Sequence, residues 1–138
     1  MTALDALGTA LAAEHAAVFV YGALGGQTSQ SSDPQLFAEV TDAYVVHRGR
    51  RDRLTAMITE AGGEPPAAEP GYDLPADLSG PVAVADRALR VERACAATYA
   101  YVVASTAGEE RQWAVAALVD AAVRQVTFGG EPTALPGL

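Results

Sequence analysis

Four stretches of the chain repeat their apolar residues every three or four positions, which is the spacing of one helix face. These stretches cover residues 2–25, 34–62, 81–108 and 109–128. Glycine pairs or single glycines follow them, as expected where helices end. Three start signals support them: a capping box at Thr2 and Asp5, a second at Thr106 and Glu109, and an Asp33 cap ahead of Pro34. The pattern predicts an all-α fold in one domain spanning residues 1–138.

The lengths of the connections predict how the helices are arranged. The first and last links are short, so each joins antiparallel neighbours. Residues 62–80 contain four prolines and cannot be helical throughout, but at about 3.3 Å per residue they could travel the length of a helix. Two hairpins joined by one long Pro-rich crossover form the ferritin-like antiparallel four-helix bundle. A plain up-down bundle with a flexible loop is the alternative.

Charged residues interrupt three of the apolar stripes near mid-length. Glu14 lies on the stripe of the first helix, His47 and Arg51 lie on that of the second, and Glu92 lies on that of the third. An unpaired buried carboxylate costs several kcal/mol, so such groups must neutralise one another, shift their protonation or bind a cation. We therefore expect a layer of charged side chains inside the bundle.

The fourth helix and the tyrosines extend this predicted layer. Asp120 and Arg124 share one line of the fourth helix, but periodicity alone does not decide whether they face the core. Tyr44, like Tyr21 and Tyr99, falls on a core stripe, where its hydroxyl could complete the polar layer. Beyond the helices, we expect the extended tail, with Leu135 and Leu138, to lie on the bundle.

Composition and charge narrow the class of protein. The 138 residues carry a net charge of -8, which would repel a nucleic-acid backbone. No stretch of about eighteen apolar residues is free of charges and breakers, and no basic segment precedes an apolar one at the N-terminus. The lone cysteine, Cys95, fits a reducing compartment. We expect a cytoplasmic protein that binds neither nucleic acid nor membrane.

Several short motifs resemble a small bacterial ferritin-like domain family of unknown function. They lie at residues 13–17 (AEHAA) with Tyr21 and Gly22, at 50–52 (RRD), at 120–124 (DAAVR) and at 132–138 (PTALPGL). The similarity covers nearly the whole chain. The resemblance implies a ferritin-like bundle and no established activity.

The wider ferritin-like superfamily implies a di-iron site, which the chain matches only in part. Its di-iron members carry a Glu on each of two helices and a Glu-x-x-His motif on each of the other two. Glu14 and Glu92 stand at two of these positions. Tyr44, however, stands three residues before His47, where the motif has Glu. The second helix therefore lacks one ligand.

The fourth helix departs from the di-iron pattern further. Asp120 is followed three residues later by Val123, where the motif has His. Arg51 and Arg124 would also bring positive charge towards a site meant for two cations. We therefore expect no cofactor and no catalytic residue.

Three functions remain open from the sequence. The leading hypothesis is a metal-free bundle that acts by binding a second copy of itself (a homodimer through its helix faces), another protein or a small ligand of unknown identity. The alternative is an oxidoreductase or iron-handling protein in which Glu14, His47, Glu92 and Asp120 hold one iron or manganese ion. The third is a non-redox enzyme using Glu14 or Glu92 as a general acid or base.

Overall fold

Four α-helices make up most of the chain. The computed structural model describes residues 2–138. The helices are α1 (Ala3–Gln27), α2 (Pro34–Glu60), α3 (Pro81–Ser105) and α4 (Gly108–Thr127). The predicted all-α four-helix bundle is confirmed.

The predicted capping signals are used at one helix start but not at another. At α1, the Asp5 amide donates to Thr2 Oγ1 at 3.1 Å and the Thr2 amide donates to Asp5 Oδ2 at 2.7 Å, which completes the capping box. The Thr106 hydroxyl instead donates to the Val102 carbonyl at 2.7 Å. Thr106 therefore closes α3, and α4 begins after Ala107.

The crossover, residues 61–80, runs along α1 from one end of the bundle to the other. Its contacts with α1, in chain order, join Gly63 to Leu4, Pro66 to His15 and Tyr72 to Phe19. It therefore delivers α3 antiparallel to α1 and antiparallel to α4. This path is the predicted long crossover between two hairpins, and it excludes the up-down alternative.

Helices α1 and α3 form the centre of the packing. Helix α1 packs along both α2 and α3, and α3 also packs along α4. The fourth edge, between α2 and α4, is bridged by long charged side chains. Among residues 2–138, α1 is the one helix long and apolar enough to cross a membrane, but nine of its residues are buried inside the bundle. Its apolar character serves the core of this fold.

The C-terminal tail contacts α3 through a glycine and not through its leucines. Leu135 and Leu138 are 68% and 92% exposed, so the expectation that they pack on the bundle was wrong. Gly137 adopts a left-handed backbone with φ of 84°. A Cβ atom there would lie 2.3 Å from the Ala96 carbonyl oxygen. Only glycine lets the tail approach α3 this closely.

Candidate functional site

His47 lies between two carboxylates in the centre of the bundle. Helix α2 places it at mid-length, fully buried. Its Nδ1 lies 2.6 Å from Glu14 Oε2 on α1, and its Nε2 lies 2.8 Å from Glu92 Oε1 on α3. Both glutamates are also buried. The structure thus brings together three of the residues that interrupt the apolar stripes.

Two tyrosines close the ends of this chain of hydrogen bonds. The Tyr99 hydroxyl donates to Glu14 Oε1 at 2.5 Å, and the Tyr21 hydroxyl donates to Glu92 Oε1 at 2.6 Å. The Tyr21 ring also stacks on the His47 ring, with centroids 5.2 Å apart. Burial and the negative charge of the neighbouring glutamates raise the pKa of both tyrosines well above its usual value, so both hydroxyls remain donors.

The geometry holds His47 in its protonated form. Burial alone would lower the pKa of His47, but the hydrogen bonds and charges of Glu14 and Glu92 outweigh it and raise the pKa to about 9. With both ring nitrogens protonated, each donates to a carboxylate. The imidazolium therefore acts as the cation between the two glutamates.

Arg50 supplies the second positive charge and links the layer to the surface. Its guanidinium lies 5.6 Å from the centre of the Tyr99 ring, and its Nη2 lies 2.7 Å from Asp120 Oδ2. The same Asp120 oxygen accepts from Arg124 Nε at 2.9 Å, and Arg124 Nη2 reaches Asp42 at 2.8 Å. Asp120, whose orientation periodicity left open, lies half-buried at the α2/α4 edge with Arg124.

Arg51 does not join the layer, contrary to the sequence expectation. Its side chain is 30% exposed and pairs with its neighbour Asp52, whereas the Arg50 side chain is only 10% exposed. Successive helical residues differ in direction by about 100°. Arg50 therefore points toward α4, and Arg51 points away from it.

Tyr44 was also expected in the layer, but it lies at the edge of the core. Its ring is half-buried, faces a surface pocket and has the Arg48 guanidinium 5.6 Å from its centre. Arg50 is the layer residue that the sequence reasoning missed. The RRD motif at residues 50–52 was a signal, but nothing in it distinguishes the buried arginine from the exposed one.

A metal ion would fit this arrangement poorly. Ligand atoms of Glu14, His47 and Cys95 lie within 4.8 Å of one another. A metal, however, needs an imidazole lone pair and a thiolate. Both His47 nitrogens are engaged with carboxylates, and burial raises the pKa of the Cys95 thiol well above its usual value. In residues 2–138, Glu92 Oε2 is the buried carboxylate oxygen of this layer left without a hydrogen-bond partner.

The Arg50 and Arg51 assignment predicts unequal effects on stability. Arg50→Met removes a largely buried charge that pairs with Asp120 and should lower the free energy of unfolding by about 3 kcal/mol. Arg51→Met removes only a surface pair and should cost less than about 1 kcal/mol. Urea denaturation followed by circular dichroism measures both. Equal losses would mean that Arg50 does not neutralise the layer.

The protonated His47 predicts that stability falls as pH rises. Its pKa of about 9 in the folded protein exceeds the ordinary value of 6.5. The stabilisation is therefore complete below about pH 6.5 and is lost as pH approaches 9. Between pH 6 and 8.5 the free energy of unfolding should drop by about 2–3 kcal/mol.

Matched variants identify the source of this pH dependence. His47→Gln should be less stable overall and should show a much flatter profile over the same range. His15→Asn removes the other histidine, which bonds the crossover at the Pro66 carbonyl, and should keep the wild-type slope. A wild-type protein with constant stability from pH 6 to 8.5 would contradict an imidazolium in the layer.

Comparisons with known proteins agree with this fold and leave the role open. A conserved hypothetical protein, rv2844, from Mycobacterium tuberculosis has a similar crystal structure, with a TM-score of 0.82 and 32% sequence identity. The match covers 95% of this chain and 94% of that one. Comparison with curated proteins gave no match. The family described as "Domain of unknown function (DUF4439)" matches residues 6–138, and the chain therefore belongs to this family.

Proposed function

We propose that this chain is a ferritin-like bundle in which protonated His47 takes the place of a metal ion, and that it acts by binding. The observation that carries the proposal is the pair of hydrogen bonds from one imidazole to two buried carboxylates. Two hairpins joined by a long crossover are the ferritin-like arrangement. In such bundles, metals are held by inward-facing side chains of the same kind.

Charge balance supports the metal-free form. Glu14, Glu92 and Asp120 contribute three negative charges, and His47, Arg50 and Arg124 contribute three positive ones, so these ion pairs balance without an added cation. A buried charge layer of this kind can select one packing of the helices over others. The layer would then be structural, and the binding surfaces would lie elsewhere on the bundle.

The alternative functions receive less support from the geometry. A divergent iron or manganese protein would need His47 to lose its proton and both of its carboxylate partners to move. The Asp120 carboxylate, a proposed ligand, is already held by Arg50 and Arg124. General acid or base catalysis by Glu14 or Glu92 would need access for a substrate, and both side chains are sealed from solvent.

Elemental analysis of protein purified without chelator tests the metal-free proposal. We expect no stoichiometric iron or manganese, before or after incubation with Fe²⁺ or Mn²⁺. In parallel, ¹⁵N NMR of the imidazole rings should show His47 as an imidazolium at pH 7. The chain has two histidines, so His15→Asn assigns the signal. A stoichiometric metal that disappears in Glu14→Ala would overturn the proposal in favour of the metal-binding alternative.

Self-association is part of the proposed binding role, through the outer surface of α2 and α4. Val119 and Val123 each lie two residues, or about 200° of helix rotation, from the buried Ala121, and Val45 is likewise two residues from His47. All three valines therefore point away from the core and are at least half exposed. With α4 about 30 Å long and two helices about 20 Å wide, this face offers roughly 600 Å².

That area approaches the roughly 800 Å² that each partner buries in a standard stable interface. A second copy of the chain would present the same valines, so the apolar contact is self-complementary across a two-fold axis. The large negative net charge opposes association at long range, and added salt should therefore favour it.

Sedimentation velocity tests the self-association. The wild type should sediment as a dimer at moderate salt, and Val119→Asp should sediment as a monomer, because each dimer would bury two carboxylates in the interface. Val82→Asp is the matched control, since Val82 is an exposed valine of α3. A wild type that stays monomeric at its highest soluble concentration, or a dimer unaffected by Val119→Asp, would exclude this surface.

A further inference from the structure

A pocket opens between α1 and α2, on the side of the bundle where α1 ends and α2 begins. Its volume is about 390 Å³, within the range of small-molecule pockets. All seven residues that line it are uncharged. The charged layer and the α2/α4 surface therefore play no direct part in this pocket, although Tyr21 connects it to Glu92.

Three aromatic side chains surround the pocket: Tyr21, Phe37 and Tyr44. The Tyr21 ring is fixed in position, because its hydroxyl is bonded to Glu92 and its face is stacked on His47. Tyr21 is fully buried and forms the closed floor of the pocket, so Phe37 and Tyr44 supply the aromatic surface that a ligand can contact. Aromatic walls of this kind favour a planar ring as the occupant, through stacked or edge contacts.

Two glycines of α1, Gly22 and Gly25, form the helix wall of the pocket. They are three residues apart and so lie on one face of the helix. A Cβ atom at Gly25 would meet nothing within 4 Å, and one at Gly22 would make only an ordinary contact with the Tyr44 ring at 3.7 Å. Packing inside the chain therefore does not require glycine at either position. Helix formation does not favour it either, because glycine is a poor helix former. What the glycines provide is open space against the helix backbone.

We propose that this pocket binds a neutral planar aromatic molecule of one or two rings that carries a hydroxyl or a similar hydrogen-bonding group. The glycine wall accepts the flat face of the ring, the Phe37 and Tyr44 rings contact it, and the Thr41 hydroxyl is the polar group at the rim. The absence of charge among the lining residues favours a neutral occupant. This inference rests on the proposed binding function and names a ligand class for it.

Binding of 2-naphthol, as the probe, tests the inference. Isothermal titration calorimetry should show one saturable site on the wild-type protein, and ¹H–¹⁵N NMR shifts should map it to residues of α1 and α2 at the pocket. Gly25→Ala places a methyl group in the pocket and should weaken binding by about tenfold or more. Because alanine favours the helix, this variant should be at least as thermally stable as the wild type, so weaker binding would not reflect unfolding.

Gly26→Ala is the matched control. Gly26 is the next residue of the same helix, its Cβ position is also open, and it does not line the pocket. This variant should bind 2-naphthol as the wild type does. Absence of saturable binding to the wild type, or equal binding by Gly25→Ala, would overturn the inference.

Three further outcomes distinguish this inference from the proposals before it. If the shifts at the pocket follow protein concentration and not 2-naphthol, the pocket is a contact between copies of the chain, and the ligand inference is wrong. If the layer is shown to hold a metal while 2-naphthol still binds as described, the metal-free proposal fails and the ligand site stands. A metal-free protein that does not bind 2-naphthol would contradict the ligand inference and leave the metal-free proposal standing.

Discussion

The proton on the imidazole of His47 is the constraint on which the rest of the structure depends. With it, one side chain of α2 bonds carboxylates of α1 and α3 at once, so three helices are held in a single register at mid-height. Without this proton, one imidazole nitrogen would direct its lone pair at a carboxylate oxygen, and the two atoms would repel each other. The Tyr99 hydroxyl then satisfies the second oxygen of Glu14, whereas the Tyr21 hydroxyl donates to the Glu92 oxygen that His47 already contacts.

The fourth helix is tied to this centre by a different kind of contact. The ion pairs between α4 and the layer run through Arg50, whose partner Asp120 is half-buried and shared with Arg124, and the Trp113 ring of α4 also packs edge-on against Tyr99. These ion pairs lie nearer to solvent than the hydrogen bonds of His47. Each therefore contributes less to the stability of the fold and is more sensitive to salt. The bundle therefore has a strongly bonded side, formed by α1, α2 and α3, and a weaker seam between α2 and α4.

Much of this architecture is readable from the sequence, and the errors have a common cause. Helical periodicity located the four helices and the buried positions of Glu14, His47 and Glu92, because the middle of an apolar stripe faces the core. Periodicity does not show which edge of the apolar stripe of α2 faces α4, because these two helices pack loosely. Arg50 and Arg51 differ by about 100° around α2, and only the position of α4 decides between them.

The same limit explains the other differences. Tyr44 lies on the apolar side of α2, at the point where that side meets a surface pocket. The sequence pattern of the stripe is the same whether a residue faces the core or such a pocket. The orientation of Asp120 was undecided because alanines, which fit either a core or a surface, surround it on α4. The tail was misplaced for another reason: its contact is made by the backbone at Gly137, which leaves no hydrophobic pattern.

The path of residues 61–80 has a consequence for how the chain acquires its structure. Contacts within each hairpin join residues close in sequence and can form early, but Tyr99 must find Glu14 across 85 positions. Closing so large a loop costs chain entropy before any stabilising contact is gained. We expect the pairing of the two hairpins to limit the folding rate. The proline-rich segment should reduce the entropy cost of this pairing, because prolines restrict the conformations of the unfolded chain.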